Sequence, residues 1–150
     1  MPAYGLGVGC SIYDYGMTAS GSAPAVANSG AMAIRYPGGS IADIYHWQTG
    51  TALNGAYVAP GTDFDTFMTN LVNPAGAKAI ITCDYGSDPT GTTGASPSEA
   101  AAWVQYANVT KGYGIKYWEI GNVQAGNGYY GSSVSWEEDL HADKSPMAYG

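Results

Sequence analysis

Glu119 is a single carboxylate inside an apolar run, Lys116-Tyr117-Trp118-Glu119-Ile120-Gly121-Asn122-Val123. The aromatic and branched residues, closed by Gly, read as a buried strand. A lone carboxylate is costly to bury unless it is paired, so Glu119 needs a partner. The run ends at Gly121-Asn122, where the backbone can turn and an amide side chain can point into a cleft. A charged strand ending in a polar turn is where an α/β enzyme places acid–base chemistry. A second carboxylate, Asp84, ends another strand-like run; a solvated loop aspartate is the plainer reading of it.

Aromatic and polar side chains gather near other strand ends. Tyr36 closes one run and Tyr85 another, and Asp43, Tyr45, His46 and Trp47 lie in a long connection. His46 and Trp47 can wall a sugar site or simply pack that connection onto the sheet. Composition favours sugar contact. Charged residues make up 11% of the chain against 45% apolar, with 13 Tyr and 22 Gly, so polarity must come from uncharged side chains. Aromatic faces stack on the C–H faces of pyranose rings. The other reading is a secreted protein with an uncharged surface.

The charge balance narrows the partners. Net charge is −7 and the sequence pI about 4.3, with five Lys and Arg that do not cluster. Neither nucleic acid nor an anionic membrane is an expected partner. There is no apolar run long enough for a membrane-spanning helix and no signal peptide pattern. Glu137, Glu138 and His141 could suggest a metal cluster, but adjacent acids at a helix start are more often solvated and favour the helix dipole. No metal and no cofactor are therefore expected. The sequon Asn108-Val109-Thr110 falls in a helical pattern and is read as chance. Cys10 and Cys83 sit near the ends of strands one and three. Those strands are not neighbours in a sequential sheet, and a disulfide needs Cα atoms within about 7 Å. Two buried free thiols are expected.

The elements that must position these groups alternate. Strand-like runs span Tyr4–Tyr13, Ala31–Tyr36, Ala77–Tyr85 and a fourth opening at Ile115. Ser22–Ser29 reads as a short helix capped by Ser22 and ended by Gly30. Ser40–Gly61 reads as a long loop. Thr62 and Asp65 form a capping pair for a helix whose Phe64, Phe67, Met68, Leu71 and Val72 share one face. Ser96-Pro97-Ser98-Glu99 is a capping box opening a helix to about Lys111, with Trp103, Ala107 and Tyr106 facing inward. Gln124–Ser135 reads as a loop and Trp136–His141 as a further helix start. Such β-α alternation predicts one domain, residues 1–150, of the α/β class, with a parallel sheet and its site at the carboxyl ends of the strands.

Three motifs carry a resemblance: Ile34-Arg35-Tyr36-Pro37-Gly38-Gly39, then Ala42-Asp43-Ile44-Tyr45-His46-Trp47, then Trp118-Glu119-Ile120-Gly121-Asn122. Together they resemble the N-terminal half of clan-A retaining glycoside hydrolases built on a (β/α)8 barrel, most closely bacterial secreted proteins of the α-L-arabinofuranosidase and cellulase type. The similarity runs over nearly the whole chain. It implies a parallel (β/α)4 half-barrel, extracellular location with a leader not among these residues, and a polysaccharide substrate. It implies that Arg35 and Glu119 point into the barrel as a bidentate ion pair. Arg35, Tyr36, His46, Trp47, Tyr85 and Asn122 become candidate substrate contacts.

The resemblance also carries a deficit. The residue after Gly-Asn is ordinarily the general acid/base glutamate, and here it is Val123. The nucleophile belongs to a seventh strand, and four are expected here. Retaining hydrolysis needs two carboxyl groups about 5 Å apart. Glu119 and Asp84 are the candidate catalytic carboxylates that remain. In the plainer reading Glu119 is a structural ion-pair member. Weak or absent turnover is expected. Two other classes stay open: a carbohydrate-binding protein using Tyr36, Trp47, Tyr85, Tyr129 and Tyr130, and a Gly/Tyr-rich self-assembling protein. Four strands leave two open edges, so a homo-oligomer in which two halves close on each other is expected.

Overall fold

A computed structural model describes residues 5–53, 55–123 and 139–149. Its centre is a four-stranded parallel sheet in the order β1 (Gly7–Gly9), β2 (Ala33–Tyr36), β5 (Lys78–Cys83) and β6 (Tyr117–Ile120). The register aligns Gly9 with Arg35, Arg35 with Ile80, and Thr82 with Glu119. The expected α/β class, parallel pairing and sequential order are all present, and no closed barrel forms among the described residues.

The period of two along each strand sorts the sheet into unlike faces. Ile34, Tyr36, Ala79, Ile81 and Cys83 are buried on one face, packed in the main core with Phe64, Phe67, Leu71 and Trp103. Gly9, Arg35, Thr82 and Glu119 fall on the other. Ile80 and Tyr117 share this second face with them.

Helix α1 (Ser22–Ser29) forms as its pattern predicts, with Gly30 in the left-handed conformation at its end. Its cap differs: Gly21 occupies the N-cap, and the Ser22 hydroxyl instead donates to the Gly16 carbonyl at 2.6 Å. Helix α2 (Phe64–Phe67) passes through a π turn (Met68–Val72) into α3 (Asn73–Ala75), and Gly76 closes it at φ 67°. The five apolar positions that share a face are all buried. The N-cap is Asp63, which accepts from the Thr66 amide. Thr62 is fully buried and its hydroxyl donates to the carbonyls of Ile12 and Ala59, so tertiary bonds remove it from a capping role. Asp65 is likewise engaged by Lys111, Tyr106 and Tyr113.

The stretch after β2 is the largest departure from the sequence pattern. It holds a 3-10 helix (Ser40–Ile44) and a small hairpin of β3 (Tyr45–His46) and β4 (Thr51–Ala52). Residues 41–46 are all buried, so this segment is core rather than loop. The fourth core strand also departs: Tyr117 and Ile120 are 41% and 48% exposed. β6 is an edge strand among the described residues, which is why it is not buried. Helix α4 (Pro97–Gln105) begins at Ser96 and continues as a π turn (Tyr106–Thr110) to Gly112. A last short helix, α5 (Pro146–Tyr149), starts at a proline. Cys10 and Cys83 are free thiols on non-adjacent strands, with Cys83 buried and Cys10 half-buried; burial pushes both thiols up to about 12.

Tyr4, the segment Gln124–Ser135 with Tyr129 and Tyr130, and Trp136, Glu137 and Glu138 lie outside the described residues. Asp139–His141, inside them, are irregular rather than helical.

Candidate active site

Arg35 lies near the carboxyl end of β2, one strand away from its partner. Across β5, its Nε donates to Glu119 Oε2 at 2.6 Å. Nη1 donates to the Gly38 carbonyl at 2.8 Å, and Nη2 to Asn122 Oδ1 at 3.1 Å. Between them Thr82, on β5, donates its hydroxyl to Glu119 Oε2 at 2.8 Å. The parallel register produces this, because Thr82 and Glu119 are cross-strand partners. The Arg35–Glu119 contact is through Nε alone, so the bidentate form expected from the resemblance is replaced by a fan. One guanidinium ties a carboxylate, an amide and a backbone carbonyl.

The pair is half-open, not buried. Side-chain exposure is 29% for Arg35 and 41% for Glu119. Asn122 follows Gly121, whose φ of 68° makes the turn. Its own amide donates to Asp43 Oδ1 at 2.9 Å, which fixes the end of β6 to the 3-10 helix. Val123 comes next, half-exposed and at φ 40°. That conformation is rare for a β-branched residue, and its side chain carries no proton to give.

A second group forms where β3, β5 and α4 meet. His46 Nδ1 lies 3.1 Å from each Glu99 oxygen and 3.7 Å from Asp84 Oδ2. The side chains of His46 and Asp84 are 3% and 2% exposed. Asp84 is thus no solvated loop residue. Burial, with the negative Asp43 and Glu99 nearby and despite the Ser87 amide that donates to it, pushes its carboxyl up to about 9.

The remaining sequence candidates divide. Tyr36 is fully buried; its hydroxyl donates within the core toward Tyr45 and the Thr62 carbonyl, and its ring stacks on Phe67 at 4.4 Å. It supports the site from below and cannot touch a ligand there. Trp47 lies flat against Trp103 at 5.6 Å, and its Nε1 donates to the Glu99 carbonyl. Of the two readings of His46 and Trp47, packing onto the domain is the one their contacts describe. Tyr85 is half-buried and stacks on His141 at 4.4 Å. His141 is held by Asp139 at 2.7 Å. With Val123, Lys144 and Tyr149, Tyr85 lines an open cavity of about 270 Å³.

Three contributors escaped the sequence reading. Thr82 sits in an apolar run with no signal beyond being polar at an inward position. Asp43 was noted only as part of a long loop. Glu99 was assigned to the capping box, whereas here Ser96 caps through the Ser98 amide and the Glu99 side chain turns to His46. A buried imidazole is the stronger partner for it.

No family model matches the chain. Curated relatives do. Probable α-L-arabinofuranosidase C of Aspergillus fumigatus is 32% identical over 114 residues, which takes in 59% of this chain and 21% of that protein. The Aspergillus niger protein of the same name is 30% identical over the same share. The chain therefore spans about a fifth of the length of these relatives. Among solved structures, an arabinofuranosidase superposes with a TM-score of 0.60 at 20% identity, covering 91% of this chain and 34% of that one. The α-L-arabinofuranosidase of Thermotoga maritima, in its arabinose complex, gives 0.59 at 20% identity over 90% and 34%. Family 51 α-L-arabinofuranosidase of Bifidobacterium longum gives 0.57 over 99% and 29%. The chain thus resembles part of these α-L-arabinofuranosidases in sequence, and its fold resembles part of their barrel.

Proposed function

We propose that this chain is a glycoside hydrolase-like protein that binds plant-type polysaccharide and turns it over weakly or not at all. The observation that carries the reading is the half-open fan of Arg35, Glu119 and Asn122 at the carboxyl ends of β2 and β6. It is an array of charged and amide groups with oxygens left accessible, which suits sugar hydroxyls. The relatives' names favour an arabinose-containing substrate. Glu119 is the carboxylate best placed to meet it. Asp84 is buried, its side chain 2% exposed, so it is poorly placed to meet a saccharide.

Val123 is the reason for weak turnover. By the resemblance it holds the acid/base position, and a nucleophile from a seventh strand would have to come from outside these 150 residues. Retaining chemistry requires two carboxyl groups, and a valine cannot supply one of them.

The test is calorimetric titration of the 150-residue chain with arabinoxylan and cello-oligosaccharides, beside release of nitrophenol from a nitrophenyl arabinofuranoside. Saturable binding that weakens in Glu119→Gln, with nitrophenol release at background, is expected. Binding to no saccharide defeats the proposal. Rapid release that Glu119→Gln abolishes defeats its claim of impairment.

A second reading, self-assembly, draws on the edges. Leu6 and Val8 at β1 are 49% and 37% exposed, matching the exposed Tyr117 and Ile120 on β6. Parallel edges left unpaired among the described residues favour pairing with a second copy, and this is compatible with saccharide binding.

A further inference from the structure

His46, Asp84 and Glu99 come from three separate elements and meet at one point. Among the described residues they form a group whose donor atoms all lie within 4.8 Å of one another. His46 and Asp84 are almost wholly buried, and the Glu99 side chain is 15% exposed. One Asp84 oxygen, Oδ1, accepts from the Ser87 amide. The other, Oδ2, is buried without a hydrogen-bond partner and faces His46 Nδ1 at 3.7 Å. An unsatisfied buried carboxylate oxygen aimed at an imidazole is costly unless something lies between them.

The spacing fits a shared cation. Bonds of about 2.0–2.2 Å from zinc to nitrogen and oxygen, at the tetrahedral angle, set neighbouring ligand atoms about 3.3–3.5 Å apart. The separations here, 3.1 Å from Nδ1 to Glu99 and 3.7 Å to Asp84, fall on either side of that value. Two carboxylates balance the charge of a divalent ion, and an imidazole selects the zinc-like metals over magnesium and calcium. We propose that His46, Asp84 and Glu99 bind a divalent transition metal of the zinc class, with three protein ligands and a fourth position left to water or ligand. The site goes beyond the saccharide reading, since neither Arg35 nor Glu119 takes part in it.

A bound ion would clamp the β3 hairpin, the end of β5 and the first turn of α4. Its role is thus at least structural, beneath the saccharide face. The competing account is a plain His46–Glu99 ion pair beside a protonated Asp84. Chelator-treated protein titrated with Zn²⁺ by calorimetry, and with Co²⁺ by visible absorption, separates the two. Expected are one equivalent of Zn²⁺, intense Co²⁺ bands of four-coordinate character, and a melting temperature that rises with Zn²⁺ but not with Mg²⁺. Asp84→Asn keeps the side-chain shape and should weaken Zn²⁺ binding by at least about tenfold, as should Glu99→Gln. Asp139→Asn, which alters the other His–Asp pair, should leave it unchanged. Absence of saturable binding, or equal affinity in Asp84→Asn, overturns the proposal. So does affinity lost in Asp139→Asn alone. Circular dichroism of each variant confirms that a lost site is not a lost fold.

Discussion

Arg35 and Glu119 should be energetically coupled, and a double-mutant cycle measures by how much. Arg35→Met removes three donated hydrogen bonds, to Glu119, Gly38 and Asn122. Glu119→Gln keeps the shape and removes the charge that Arg35 and Thr82 both bond. Hydrogen bonds to charged groups contribute about 1.5–3 kcal/mol each when buried, whereas exposed ion pairs contribute about 0–1 kcal/mol. Exposures of 29% and 41% put this pair between those limits, so the coupling should be about 1–2 kcal/mol. The single losses should be about 2–4 kcal/mol for Arg35→Met and about 1–2 kcal/mol for Glu119→Gln. The double variant should fall short of their sum by the coupling. Urea unfolding followed by tryptophan fluorescence, with m unchanged across the four proteins, supplies the numbers. Raising the salt should shrink the coupling, because a half-open pair is screened. Additivity within about 0.3 kcal/mol would mean the two side chains do not interact in solution, and the site as described would fail.

Trp103 is 1% exposed, stacked on Trp47 and edge-on to Tyr36, Phe64 and Trp118; Trp103→Ala should cost about 3–5 kcal/mol in chemical denaturation. A Cβ at Gly38 would lie 2.7 Å from Ser11 Oγ and 3.0 Å from Ile41 Cγ2 at φ 144°, so Gly38→Ala should cost about 1–3 kcal/mol and disturb the Arg35 bond to its carbonyl. Burial would raise the Asp65 carboxyl, but hydrogen bonds from Lys111, Tyr106 and Tyr113 outweigh it and hold the group below its ordinary range. A depressed acid stabilises the fold above its unfolded pKa of about 3.9 and loses that contribution as pH falls through the folded value. Acid titration of stability should therefore be shallower below about pH 4 in Asp65→Asn than in the parent. Sedimentation equilibrium should show at least a dimer; a single species of 15.5 kDa with a sharp melting transition would count against edge pairing.

Much of the sheet was legible because its signals are local. Apolar runs, turn glycines and helix faces marked four parallel strands in sequential order, but they carried no register, and the fourth strand is a half-exposed edge among the described residues. The Arg35–Glu119 pairing needed the resemblance, since 84 positions separate them and charge alone names no partner. What the sequence hid depends on competition between partners. Glu99 at the third position after Ser96 fits a capping box, and so does Thr62 ahead of Asp65. In the fold each finds a better bond, Glu99 with buried His46 and Thr62 with two carbonyls. The segment after Gly39 looked like loop because its Gly, Ser and Thr masked the apolar Ile41, Ala42 and Ile44, which tertiary packing buries.

The two faces of the sheet bear different constraints, and this ties the fold to the function. On the helix side, Tyr36 stacks on Phe67 and meets Trp103 edge-on, all three fully buried. On the other side, among the described residues, Arg35 and Glu119 stay partly exposed while Thr82 beneath them is fully buried. One carboxylate there is held by Arg35 and Thr82, and Val123, which by the resemblance stands where a proton donor is expected, sits at φ 40°. On the proposed reading the Arg35–Glu119 positioning is kept while Val123 cannot give a proton, so affinity for a saccharide should outlast turnover. Substituting Val123→Glu puts a carboxyl in that place, and nitrophenol release that rises above the parent's would tie the deficit to Val123.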